Sequence, residues 1–138
     1  MRPDGIPQAS VARKSATTTT AAARNQVLTS ATLRAAELLG IRQTQLALVI
    51  GVSPPTVSRM KSGAYLLAEA RKEWSLAALF VRLYRSLDSI VAGRTEDARA
   101  WLHSANRAFD GQVPAALIVD VQGLVHVVDY LDAARGQV

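Results

Sequence analysis

Cysteine is absent from this chain. Disulfides and thiolate metal sites are therefore excluded, and a reducing cytoplasm is the compartment the sequence suits. Aromatic residues make up only 5%. A core must then be built from Leu, Val, Ile and Ala, which favours helix packed on helix. No apolar run approaches the length that crosses a bilayer, and the first residues lack the apolar stretch of a secretory signal. His103 and His126 are the only histidines and have no ligand spacing around them. The eight glycines are scattered, so no phosphate-cradling loop is formed. These absences argue against a metal site, a cofactor and catalysis, and no membrane partner is expected.

Apolar residues supply 49% of the 138 positions, enough for one ordinary domain or two small ones. The net charge of +5 is unevenly spread. Residues 1–27 carry four basic groups and one acid, and residues 28–63 again four and one. Residues 64–138 carry eight basic and nine acidic groups, and 108–138 one Arg against four Asp. A basic N-terminal part and an acidic end point to two different partners.

The stretch from Gln43 to Gly63 reads QTQLALVIGVSPPTVSRMKSG. Its spacing predicts two short helices crossing tightly, Gln43–Ile50 and Ser53–Lys61. Ala47 is small where they approach, and Gly51 stands at the turn. Leu46, Ile50, Val57 and Met60 share the inner face. Ser53 suits an N-cap, and Pro54 suits the first turn. In a helix-turn-helix the second helix enters the major groove. Ser53, Pro54, Pro55, Thr56, Ser58 and Arg59 then face the bases. Arg59 can bond a guanine bidentately, whereas Pro55 and the Thr56 methyl offer apolar contact. Gln43, Ser53 and Lys61 suit phosphate.

Around this unit, residues 1–27 are expected to form a disordered tail, with Pro3, Pro7 and a Thr17–Thr20 run. A first helix is expected from Ser30 to Leu39, capped by Thr29 or Ser30 and stopped at Gly40. After a connector at Ala64–Ala68, a three-four apolar repeat predicts a longer helix over Glu69–Val91, broken by Gly93. Thr95 would cap a helix through about Ala105. Asp110-Gly111 reads as a turn and Pro114 opens a short helical turn. Val121–Arg135 is read as helix, although Val125, Val127 and Val128 would also suit a strand. The fold class is all-α. It divides into the tail, a headpiece at 28–68 and a helical domain at 69–138.

The stretch resembles the helix-turn-helix of Cro- and Xre-type phage repressors through Gln43, Leu46, Ala47, Ile50, Gly51, Ser53, Val57, Arg59, Met60 and Ser62-Gly63. It departs at Pro54-Pro55, where repressors often carry hydrogen-bonding residues. Further on, Asn106-Arg107-Ala108-Phe109, Asp110-Gly111 and Pro114 precede a final apolar helix. That arrangement resembles the C-terminal domain of the Xre/MbcA/ParS-like antitoxins.

The resemblance implies a bacterial antitoxin that pairs with a RES-domain toxin, an NAD-consuming or ADP-ribosylating enzyme. Its C-terminal end would block the toxin's NAD-binding cleft, and its headpiece would bind the operon's own promoter as a homodimer. On that reading Asp129, Asp132, Arg135, Gly136, Gln137 and Val138 meet the toxin. From the residues alone, an amphipathic closing helix with solvated acids stays open. So does a stand-alone transcriptional repressor whose C-terminal half only dimerises. An adaptor without DNA binding is a third alternative.

Overall fold

The computed structural model describes residues 5–136 of the chain, with side chains from residue 20 onward. Seven α-helices and one 3-10 turn occur among the described residues, and no strand. They are α1 Gly5–Leu39, α2 Gln43–Ile50, α3 Pro54–Ser62, α4 Glu73–Ile90, α5 Thr95–Leu102, α6 Pro114–Leu117 and α7 Val121–Gly136. The all-α reading holds, and α2, α3, α6 and α7 stand at or within a residue or so of their expected bounds.

The expected tail and first helix differ from what is seen. A single helix, α1, runs from Gly5 to Leu39. Residues 8–39 contain no Gly or Pro, and Ala recurs through them, so nothing local stops the helix. Thr29 and Ser30 lie inside it rather than capping it. Thr29 is buried; its hydroxyl donates to the Asn25 carbonyl at 2.7 Å and accepts from the Leu67 amide at 2.9 Å. That second bond satisfies an amide that the ten-residue connector between α3 and α4 would otherwise leave buried and unpaired. The part of the expectation that falls on residues 1–4 lies outside the described residues.

Two other bounds also move. Helix α4 opens at Glu73 rather than Glu69, because residues 68–74 close turns instead, with Arg71 N on Ala68 O and Trp74 N on Arg71 O. Helix α5 stops at Leu102, since the chain must turn for Asn106 N to reach the Gln112 carbonyl at 3.1 Å. Thr95 is its first helical residue and makes no cap; Arg94 instead pairs with Asp97 at 2.6 Å.

One aliphatic core joins all the helices. Leu39, Leu46, Ile50, Val57, Phe80, Leu83, Leu102, Ile118 and Leu124 are almost wholly enclosed. Each such side chain contributes about 1.5–3 kcal/mol by leaving water. Helix α4 is the axis of the packing, in contact with α1, α2, α5 and α7. The carbonyls at the end of α1 are met by α5. Arg99 donates from Nε to Leu38 O at 2.7 Å and from Nη2 to Glu37 O at 2.8 Å, and His103 Nε2 lies 2.8 Å from Leu39 O. A cationic donor at a helix C-terminus is favoured both by hydrogen bonding and by the dipole. No helix among the described residues is long and apolar enough to cross a membrane.

Candidate functional site

The α2–α3 crossing has the geometry its sequence calls for. Gly51 has φ +75°, a left-handed conformation that costs other L-residues energy, and its amide closes on Ala47 O at 2.9 Å. The Val52 amide meets the same carbonyl at 3.0 Å. Leu46, Ala47, Ile50, Val57 and Met60 are all buried. At the start of α3 the Ser53 hydroxyl accepts from the Thr56 amide at 3.2 Å and lies 2.9 Å from the Thr56 hydroxyl. Pro54 and Pro55 fall in the first turn, where no amide is needed.

The outward side of α3 presents Pro54, Pro55, Ser58, Arg59 and Lys61, with Thr56 half-buried. Polar contacts tie this face together. Gln43 donates to Pro54 O at 3.0 Å and accepts from Lys61 Nζ at 3.3 Å, so one side chain of α2 spans both ends of α3. Arg59 donates to the Thr56 hydroxyl at 3.1 Å. Gln43, Ser53, Thr56, Arg59 and Lys61 are thus drawn into one linked surface, beside exposed Pro55 and Ser58. No acidic residue lies in α3. Arg59 and Lys61 have no ion pair among the described residues. Such a surface suits a polyanion, with polar groups for phosphate and one guanidinium free to leave Thr56 for a base edge.

Tyr65 fixes this unit to the next helix. Its hydroxyl donates to Glu73 Oε2 at 2.5 Å. The bond to that carboxylate, then desolvation and the negative charge, raise the phenol above its ordinary value of 10.0.

The second candidate site lies at the other end of α4. The Asn106–Pro114 segment is a compact loop. The Asn106 side chain accepts from Ala108 N at 2.9 Å, and its carbonyl takes the amides of Phe109 and Gly111. Asp110 and Gly111 both have positive φ and turn the chain. Phe109 is driven inward. Its ring meets Trp101, His126 and Tyr130 edge-on, at centroid distances of 6.0, 5.1 and 5.1 Å. These contacts fix α7 to α5, so the motif residues are scaffold for the final helix. His126 packs against that ring.

Along α7, Leu124, Val127, Val128 and Leu131 face the core. The helix is started by Asp120, whose carboxylate accepts from Gly123 N at 2.8 Å, a cap that sequence reasoning missed. Its signal was an Asp just before the apolar run. The six residues expected to meet a partner separate into three groups. Asp129, Arg135 and Gly136 are exposed. Asp132 is engaged within the chain: it accepts from Ser86 at 2.9 Å and pairs with Arg82 at 2.6 Å. Gln137 and Val138 lie outside the described residues. The outer side of α7 also shows Val121, Val125 and Tyr130, each well exposed for its apolarity.

The two halves each match a family model. Residues 18–82 match the antitoxin Xre-like helix-turn-helix domain, and residues 86–136 match the antitoxin Xre/MbcA/ParS C-terminal toxin-binding domain. Among solved structures the chain is similar to one in the crystal structure of the M. tuberculosis MbcT-MbcA toxin-antitoxin complex. The TM-score is 0.60 at 24% identity, over 81% of this chain and 96% of that one. At that identity the likeness is one of fold. A search of curated proteins finds no match.

Proposed function

The chain belongs to the Xre/MbcA/ParS-like antitoxins, and we propose that within this family it neutralises a RES-domain toxin and represses its own operon. The observation that carries the reading is the pairing, on one shared core, of a basic helix-turn-helix face with a toxin-binding-type domain whose last helix ends exposed. The chain itself acts by binding, as a protein that occupies surfaces rather than a catalyst.

For the toxin, the working part is the end of α7. Arg135 and Gly136 project beyond the last core residue, Leu131, and the small residues Ala133 and Ala134 keep this end slim. A slim, hydrogen-bonding end can enter a cleft shaped for a dinucleotide and exclude NAD from it. Gln137 and Val138, which follow in the sequence, are assigned to the same contact, and the exposed Asp129 can meet the toxin's cationic groups. Asp132 supports the helix from behind. For the promoter, Arg59 reads a base edge beside Thr56 and Ser58, while Gln43, Ser53 and Lys61 hold phosphate, and Pro55 and the Thr56 methyl make apolar contact. A homodimer would set two such helices on two half-sites.

Co-expression with the product of a neighbouring RES-domain reading frame tests the first half. A stable complex and loss of NAD consumption are expected; free toxin activity in the presence of excess chain would sink the reading. A gel shift on the upstream region tests the second. Arg59→Ala should cost about 1–3 kcal/mol and relax sequence preference. Lys61→Ala should weaken all sequences alike and flatten the salt dependence by about one counterion. Equal binding by all three proteins would remove α3 from the interface.

A further inference from the structure

An open groove of about 840 Å³ runs between α1 and α4 and reaches the end of α7. Val27, Trp74, Ala78 and Val81 make it apolar. Val27 is 64% exposed, a large value for an aliphatic side chain on a packed helix. Trp74, Ala78, Val81 and Arg85 fall three or four apart along α4, so they form one stripe. Four arginines stand around the floor: Arg24, Arg82, Arg85 and Arg135. Arg24 pairs with Glu69 and Arg82 with Asp132. Arg85 and Arg135 have no acidic partner among the described residues.

We propose that this groove docks an acidic, apolar-faced helical segment of the same partner protein that the end of α7 engages. The inference rests on the toxin-neutralising reading above and adds a second contact to it. Two observations select the occupant. The first is charge: an apolar floor with unpaired guanidinium groups is complemented by apolar anchors flanked by carboxylates. The second is continuity. Arg135 belongs both to the groove and to the exposed end of α7, so a protein seated on that end lies against the groove's mouth. A second copy fits less well. A two-fold contact pairs the patch with itself, and this lining holds four arginines and no carboxylate to meet them. Nucleic acid fits less well too, because phosphate gains nothing from Trp74 and Val27.

The test is calorimetric titration of the full chain with its RES-domain partner, using Arg85→Glu and Val27→Asp beside wild type. Each variant should weaken the complex by about tenfold or more. Promoter binding and helical circular dichroism should stay unchanged, and Arg85→Lys should retain most of the affinity. Unchanged partner affinity in both Arg85→Glu and Val27→Asp, with wild type binding normally, overturns this inference alone. Conversion of a dimer of the chain to monomer by either variant, with partner affinity intact, overturns it in favour of a second copy. Loss of promoter binding with partner affinity intact overturns it in favour of nucleic acid. Failure of wild type to bind the partner at all overturns the neutralising reading as well.

Discussion

At Gly123 the chain leaves no room for a side chain. A Cβ built there would stand 1.8 Å from the Leu117 carbonyl oxygen and 2.7 Å from its carbon. Backbone cannot yield as a side-chain tip can, so the α6–α7 junction must open. Gly123→Ala is expected to cost about 1–3 kcal/mol, read as a lower denaturation midpoint at unchanged slope. A midpoint equal to wild type would show that the junction relaxes freely. Tyr65 carries a second residue-scale expectation. Its phenol is raised because the neutral hydroxyl donates to Glu73 and the phenolate would face that carboxylate. A raised folded value means that the contact's contribution is complete below about pH 10 and is lost as pH climbs through the folded value. Phenolate absorbance should therefore show one tyrosine titrating late in wild type and earlier in Glu73→Gln. Identical titration curves would remove the contact.

Among the elements, α7 shows what binds a functional helix in place. Ser86 is fully buried on α4, and Asp132 takes its hydroxyl while also pairing with Arg82. Asp132→Ala leaves that hydroxyl without its acceptor, which costs about 1–3 kcal/mol. Hydrogen exchange should rise in the last turns of α7 while α2 and α3 keep their protection. Uniform exchange along α7 would show that the apolar contacts suffice alone. The same helix shows what the sequence makes legible. Leu124, Val128 and Leu131 recur every three or four residues, and that period survived the β-branched valines. The role of Asp132 was not legible: an acid on a helix reads alike whether it faces a partner or a serine 46 positions away. Helix α1 was hidden for the opposite reason. Its first half has no apolar period, and its anchors, Glu69 and Leu67, come from a distant connector. Gln43–Gly63 was plain because caps, turn and inner face all lie within 21 consecutive residues.

Over the whole molecule, α4 is shared: the helix-turn-helix match ends at residue 82 and the toxin-binding match starts at 86, both inside it. The two candidate surfaces therefore rest on one core yet use different side chains. The last core contact of α7 is Leu131 and its last tether is Asp132. Of the residues after them, Arg135 and Gly136 are exposed, with no hydrogen bond or ion pair from their side chains among the described residues. Removing residues 135–138 should shift the melting temperature by no more than about 2–4 °C, since exposed residues past the last core contact contribute little. Promoter affinity should stay within about twofold of full length. Inhibition of the toxin should fall far more, by about a hundredfold or greater, which is what about 3 kcal/mol of lost contact gives. The three quantities are measured on one preparation by calorimetry, gel shift and residual NAD turnover. A truncated chain that still inhibits as well as full length would move the inhibitory contact off the C-terminal end and onto the outer face of α7, where Val121, Val125 and Tyr130 are exposed.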